Sequence, residues 1–278
     1  MKQILLICAA VVFVGCGKKE PEREANVPDV NPPVQPPVKE TKQLPAKPKV
    51  KPTKVTLTPE IEAAKKAHEA GNYREAARLY TVELAAEEAK PAPSWVQLSY
   101  LHNQLGLALD NAGLYDKALE HHQKALAIRL KQLGSEHPHV ARSYNNIGSV
   151  HYKKREYDKA LENYQKALAI QLKKLGPEHP NVARSYNNIG AVHHKKGEYD
   201  KALEHSQKAL AIQLKQLGPE HPYVVQSYMN MAFVYKAKKD LVKAKEYWEK
   251  AYAIFSEKLG PNHPNTKRVK GQLDALKE

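Results

Sequence analysis

Ser143-Tyr144-Asn145-Asn146-Ile147-Gly148 returns 42 residues later as Ser185-Tyr186-Asn187-Asn188-Ile189-Gly190. Across the longer stretches 138–176 and 180–218, only 7 of 39 aligned positions differ. Weaker copies flank this pair. Ser227-Tyr228-Met229-Asn230-Met231-Ala232 fills the slot downstream, and His102-Asn103-Gln104-Leu105-Gly106 begins the equivalent piece upstream. A Tyr-Asp pair ahead of Lys-Ala-Leu-Glu stands at Tyr115, Tyr157 and Tyr199; Tyr73 keeps the same register, and Leu241 takes that place in the last copy. Self-similarity at a fixed period marks units that stack on one another, because no single unit can bury its own apolar face.

Within one period the apolar residues recur every 3.6 positions. Tyr157, Ala160, Leu161, Tyr164, Leu168, Leu172 and Leu175 share one face of a helix of about 19 residues. Residues 139–154 predict a second helix, with Val140, Tyr144, Ile147, Val150 and His151 as its stripe. Pro138 sits where the first helical turn tolerates proline. Gly113 and Gly197 mark the tight turn inside a hairpin, and Gly176-Pro177 ends the second helix. The predicted architecture is an all-α solenoid of five hairpins: about 60–90, 93–134, 138–176, 180–218 and 222–260, closed by a charged helix over 264–277.

These residues resemble the tetratricopeptide repeat family. Its small residue in the first helix matches Gly106, Gly148, Gly190 and Ala232. Its two packing alanines match Ala118, Ala160, Ala202 and Ala244, then Ala125, Ala167, Ala209 and Ala251. The aromatic between them matches Tyr164 and Trp248, whereas His122 and Ser206 depart there, which predicts looser packing at those two units. The ordinary period of the family is ~34 residues. The extra length, with the Leu-Gly-x-x-His-Pro link, resembles the kinesin-light-chain type. The first hairpin is degenerate, with Ala64 in its small slot.

The chain of 278 residues carries a net charge of +14, 19 prolines, and an apolar fraction of 42%, slightly low for a wholly globular protein. The deficit lies at the N-terminal side. Lys2 followed by an apolar run over 4–14 is too short for a bilayer span of ~20 residues, and predicts a signal peptide over 1–15. Gly15-Cys16 at its end resembles the lipobox of bacterial lipoproteins. That resemblance implies lipidation of Cys16, cleavage before it, and a periplasm-facing anchor; Gly17 favours the outer membrane, because the inner-membrane retention signal is Asp. Residues 18–59 hold ten prolines and no apolar period, a composition that predicts a disordered or extended spacer. Six lysines between positions 39 and 54 offer that spacer a contact with anionic head groups or cell-wall polymer. Cys8 and Cys16 are the only cysteines, so neither a disulfide framework nor a cysteine zinc site is expected in the repeats.

In the family the first helices line a concave surface. Carried over, ligand contacts fall at Asn103, Arg142, Asn145, Tyr152, Lys153, Arg184, Asn187, His194 and Lys195. Amides pair with an extended backbone and guanidinium groups with carboxylates, so the expected partner is a protein segment that is acidic or ends in a free C-terminus. Asparagines at these places also suit hydrogen bonds between adjacent hairpins. His137, His179, His221 and His263 each precede a proline and stand one unit apart, which argues for helix initiation rather than metal binding. Neither a metal nor another cofactor is expected. No nucleophile elbow, phosphate loop or His-Glu-x-x-His motif is present, which points away from an enzyme. Interleaved acids and bases, together with the export signal, argue against nucleic acid. The functional expectation is a membrane-anchored scaffold that binds partner segments in its groove, in assembly of an envelope complex. The alternative is a structural protein tying the membrane to anionic cell-wall material.

Overall fold

Each hairpin from the third onward, and the single helix that follows the fifth, begins at a His-Pro pair. The imidazole Nδ1 of His137, His179, His221 and His263 accepts the backbone N–H two residues on, at 3.1–3.2 Å, and the following proline occupies the first helical position, where no donor is needed. Thr58 and Ser94 cap the first helices of the earlier hairpins through their hydroxyls. The helix-initiating role expected of the four histidines is what the structure shows.

The computed structural model describes residues 54–276. The signal segment 1–15, Cys16 and nearly all of the spacer lie outside the described residues. Among those described there are eleven α-helices and no strand. They form five hairpins: α1 Pro59–Glu69 with α2 Tyr73–Glu88, α3 Trp95–Asn111 with α4 Tyr115–Leu133, α5 Pro138–Lys153 with α6 Tyr157–Leu175, α7 Pro180–Lys195 with α8 Tyr199–Leu217, and α9 Pro222–Ala237 with α10 Leu241–Leu259. A single helix, α11 Pro264–Asp274, closes the stack against α10. Each helix packs on its sequence neighbours. In addition α3 touches α5, α5 touches α7 and α7 touches α9, whereas successive second helices make no comparable contact. The first helices therefore line the inner, more tightly curved wall.

The close crossing inside each hairpin depends on the small slot. A Cβ built on Gly148 would stand 2.8 Å from the Tyr164 ring, and one on Gly106 would stand 2.7 Å from the His122 ring. His122 is buried to 1% exposure, so the packing there is tight, contrary to the looser packing expected from its departure. Ser206 is the different case. It leaves a ring-sized space unfilled, and a cavity reaches it from the inner wall.

Successive hairpins are joined by a recurring polar cluster. Ser185 Oγ lies 2.7 Å from Gln171 Oε1 and 3.3 Å from Asn145 Oδ1; Ser227 Oγ lies 2.6 Å from Gln213 Oε1 and accepts from Asn187 Nδ2 at 2.8 Å. One junction earlier the same places hold Asn103, Arg129 and Ser143. At the last junction they are apolar, Met229, Phe255 and Val269. A second ladder runs on the outside. Lys154, Lys196 and Lys238 pair with Asp116, Asp158 and Asp200 of the preceding hairpin, so Asp158 bridges two units rather than decorating its own helix.

Candidate functional site on the inner wall

The C-terminal halves of three first helices and the closing helix α11 converge on one cavity of about 340 Å³. Tyr152 from α5, His194 and Lys195 from α7, Asn230 and Phe233 from α9 and Arg268 from α11 line it, over a floor of Gly190 and Ser206. Neighbours at this position differ from hairpin to hairpin because the solenoid steps the same helix register along the wall. Three of the nine residues expected from sequence, Tyr152, His194 and Lys195, are thus brought together. Arg268 continues the 42-residue column of Arg142 and Arg184, so the repeat register did carry a signal for it, which reading the closing helix only as a cap overlooks.

No carboxylate lines the cavity, and neither Lys195 nor Arg268 has an ion-pair partner among the described residues. Burial first, then the neighbouring Lys195 charge, holds the His194 imidazole below its ordinary range, so it is neutral near pH 7. Burial likewise raises the Tyr152 phenol, with Tyr157 adding to the shift. The cavity therefore presents two cations, a neutral imidazole, a phenol, an amide and the half-buried Phe233 ring. That ring meets Trp248 edge-on at 5.5 Å. Such a lining suits an acidic segment with some apolar surface.

The other expected residues lie elsewhere. Asn103 and Asn145 are buried, Asn187 is half-buried, and all three join the polar clusters between hairpins. Lys153 is on the wall but pairs with Asp110 at 2.9 Å. Arg142 and Arg184 are exposed near the opposite, N-terminal ends of α5 and α7. They flank a shallow cleft of about 60 Å³ with Gln171 and Asn181. Arg142 and Tyr152 are ten residues apart on one helix, ~15 Å along its axis. The nine residues thus fall into two surface clusters, one internal network and the ion-paired Lys153 rather than a single site.

No group of three or more His, Cys, Asp or Glu side chains is placed to hold a metal among the described residues, and no described helix is long and apolar enough to cross a membrane.

Stacked hairpins with this small slot, alanine pair and inner wall define a helical-repeat solenoid. A tetratricopeptide repeat family model matches residues 97–173, 141–215, 182–240 and 223–273, and the chain belongs to that family. The solved structure of BtubC (BKLC) from P. vanneervenii is 27% identical, with a TM-score of 0.62 over 72% of this chain and 80% of that one. A putative kinesin light chain from Podosopora anserina with nearly identical TPR-like repeats is 28% identical, with a TM-score of 0.59 over 71% of this chain and 94% of that one. RapI in its apo form, 17% identical, shares the fold alone, at a TM-score of 0.62 over 79% of this chain and 58% of that one. A search of curated proteins found no match. The fold is that of a protein-interaction scaffold of kinesin-light-chain-like architecture, and no catalytic family is matched.

Proposed function

We propose that this protein is a lipid-anchored adaptor of a bacterial envelope, probing the periplasm with a repeat domain that captures protein segments on its inner wall. The observation that carries the capture is the cavity at Tyr152, His194, Lys195 and Arg268, where two cations stand without carboxylate partners. Both cations are exposed and free to pair with a ligand carboxylate, and the half-buried Tyr152, His194 and Phe233 beside them limit water at that contact, so the segment is acidic or ends in a free C-terminus. The anchor is supported by the Lys2 charge, the apolar run over 4–14 and the Gly15-Cys16 pair. The proline-rich spacer, at ~3.1 Å per residue when extended, gives the domain reach from the membrane. Assembly of an envelope complex is the role that fits such an adaptor, and the reading is non-enzymatic.

A photoreactive residue at Lys195, crosslinked in intact cells and read by mass spectrometry, tests this. A discrete crosslinked protein that disappears with Cys16→Ser is the expected result. No product, together with salt-sensitive sedimentation with the cell wall, would instead establish the lysine-rich spacer as the functional part and the protein as a structural tie.

A further inference from the structure

Arg129 breaks the repeat in a way that costs stability unless something answers its charge. Gln171 and Gln213 stand at the equivalent places and meet the serines of the next hairpin with a neutral amide. Arg129 puts a guanidinium there, 6% exposed. Its Nη1 donates to Ser143 Oγ at 2.7 Å, Asn103 Oδ1 at 3.3 Å and the His139 carbonyl at 3.5 Å, and its Nη2 donates to the Ser99 carbonyl at 3.2 Å. All four acceptors are neutral. No carboxylate pairs with Arg129 among the described residues, and the charge that bears on it is the like charge of Arg142. Burial, with that repulsion, lowers its pKa to about 10, which still leaves it charged at neutral pH. A guanidinium has five N–H donors. Among the described residues no protein acceptor meets the Nε–H or the second N–H of Nη2, and Nε is not sealed from solvent. Removing a charge from water without a counter-charge is among the most expensive things a fold can do.

The guanidinium borders a cleft of about 200 Å³ at the junction of the second and third hairpins. One-off residues build its walls as well: Trp95 and Val96 replace the His-Pro pair of later hairpins. The segment ahead of α1 forms another wall. The Gln97 side chain clasps the backbone of Thr56 in both directions, with N–H to Oε1 at 3.0 Å and Nε2 to carbonyl at 2.9 Å, and this places Val55 in the lining. Leu133 adds to the apolar side, and Arg142 stands at the rim; no acidic residue lines the cleft. At this size the cleft is below the ~300–1,000 Å³ of ordinary small-molecule sites, and it matches one side-chain-sized group.

We propose that this cleft binds a monocarboxylate carried on a short apolar stem, with Arg129 and Arg142 taking the carboxylate and Trp95, Val96, Val55 and Leu133 enclosing the stem. The C-terminal residue of a peptide and a small free organic acid share this chemistry. Ser99, Tyr100, His137 and His139 also line the cleft, but its apolar walls suit a stem that a phosphate dianion lacks. The site lies at the opposite ends of the first helices from the Lys195 cavity, and it stands or falls separately from the adaptor reading.

The test is calorimetric titration of the full chain carrying Cys16→Ser. The probes are the peptide Gly-Ser-Gly-Ser-Gly-Leu with a free C-terminus, the same peptide as its C-terminal amide, hexanoate, and inorganic phosphate. Saturable binding of the free-acid peptide or of hexanoate is expected, at least tenfold tighter than the amide or phosphate. The stronger of the two identifies the source of the carboxylate. Arg129→Gln installs the residue of the neighbouring hairpins, so the fold is retained. It should weaken the carboxylate at least tenfold and abolish the rise in unfolding temperature that the ligand gives the parent protein. Arg142→Gln, on the exposed rim, should weaken it less. Equal binding of acid and amide, unchanged binding by Arg129→Gln, or no saturable carboxylate binding would each overturn the site. Partner crosslinking at Lys195 that survives Arg129→Gln leaves the adaptor standing while the cleft is judged on the titration alone.

Discussion

Arg155 holds a φ of 62° at the hairpin turn where Gly113 and Gly197 hold 79° and 77°. Left-handed backbone crowds a Cβ, so Arg155→Gly should raise stability by up to about 1 kcal/mol after glycine's larger unfolded-chain entropy is subtracted. Urea unfolding reads this directly, and a loss of stability would mean that the arginine side chain contributes more than its backbone costs. His122 offers a second test. Its ring is sealed against Gly106 with neither nitrogen hydrogen-bonded, and burial, reinforced by Arg129, lowers its pKa to about 4. The unfolded chain then binds more protons than the native one between pH ~6.5 and ~4, so stability falls as the pH drops through that window. The loss is on the order of 3 kcal/mol from this residue. His122→Phe, which restores the aromatic type of Tyr164 and Trp248, should raise the unfolding temperature more at pH 5 than at pH 7.5. An equal rise at both values would assign the effect to packing alone.

At the scale of the helices, the junctions explain why the candidate site was only partly legible. Periodicity identifies which face of α5 meets its neighbours, but Asn145, Asn146 and Ser149 stand near the border between junction and inner wall. A difference of one position, ~100° around the helix, decides which way each side chain goes. Asn145 therefore reads equally well as ligand contact or as staple, and the structure makes it a staple. Arg129 was legible in principle, as the charged departure in a column that otherwise reads Gln171, Gln213 and Phe255, but only the structure shows that the column is buried. The polar staple predicts strong non-additivity. Gln213→Phe alone leaves the Ser227 hydroxyl proton without its buried acceptor, while Asn187 keeps its bond to Ser227 Oγ, and should cost ~1–3 kcal/mol. Adding Asn187→Met and Ser227→Val recreates the apolar set found at Met229, Phe255 and Val269, and should recover most of that loss. Chemical denaturation of the single and triple variants measures it. A triple variant no more stable than the single would show that the amides do more than satisfy one another.

For the whole molecule, the order of hairpins was readable because near-identical 42-residue copies repeat every contact that one copy makes. What differs between copies, namely Ser206, Arg129, Trp95 and the closing helix, is where both cavities lie, and single departures carry no period to read. The same near-repetition dictates how the molecule should come apart. Each hairpin touches only its neighbours, so stability is a sum of unit and junction terms rather than one core. The helix α11 covers the last unit through Val269 and Thr266, both fully buried, beside the Trp248 cluster. Deleting residues 264–278 exposes that apolar face and removes the final junction. Hydrogen exchange should then quicken first in α9 and α10, by at least an order of magnitude, more weakly in α7 and α8, and little in α3 and α4. Uniform acceleration across all hairpins would show instead that the domain unfolds as one cooperative block. A graded response also means that the Arg129 cleft, with six helices between α4 and α11, keeps its geometry when the Lys195 cavity loses Arg268, so the truncated chain should still bind the carboxylate while failing to crosslink a partner.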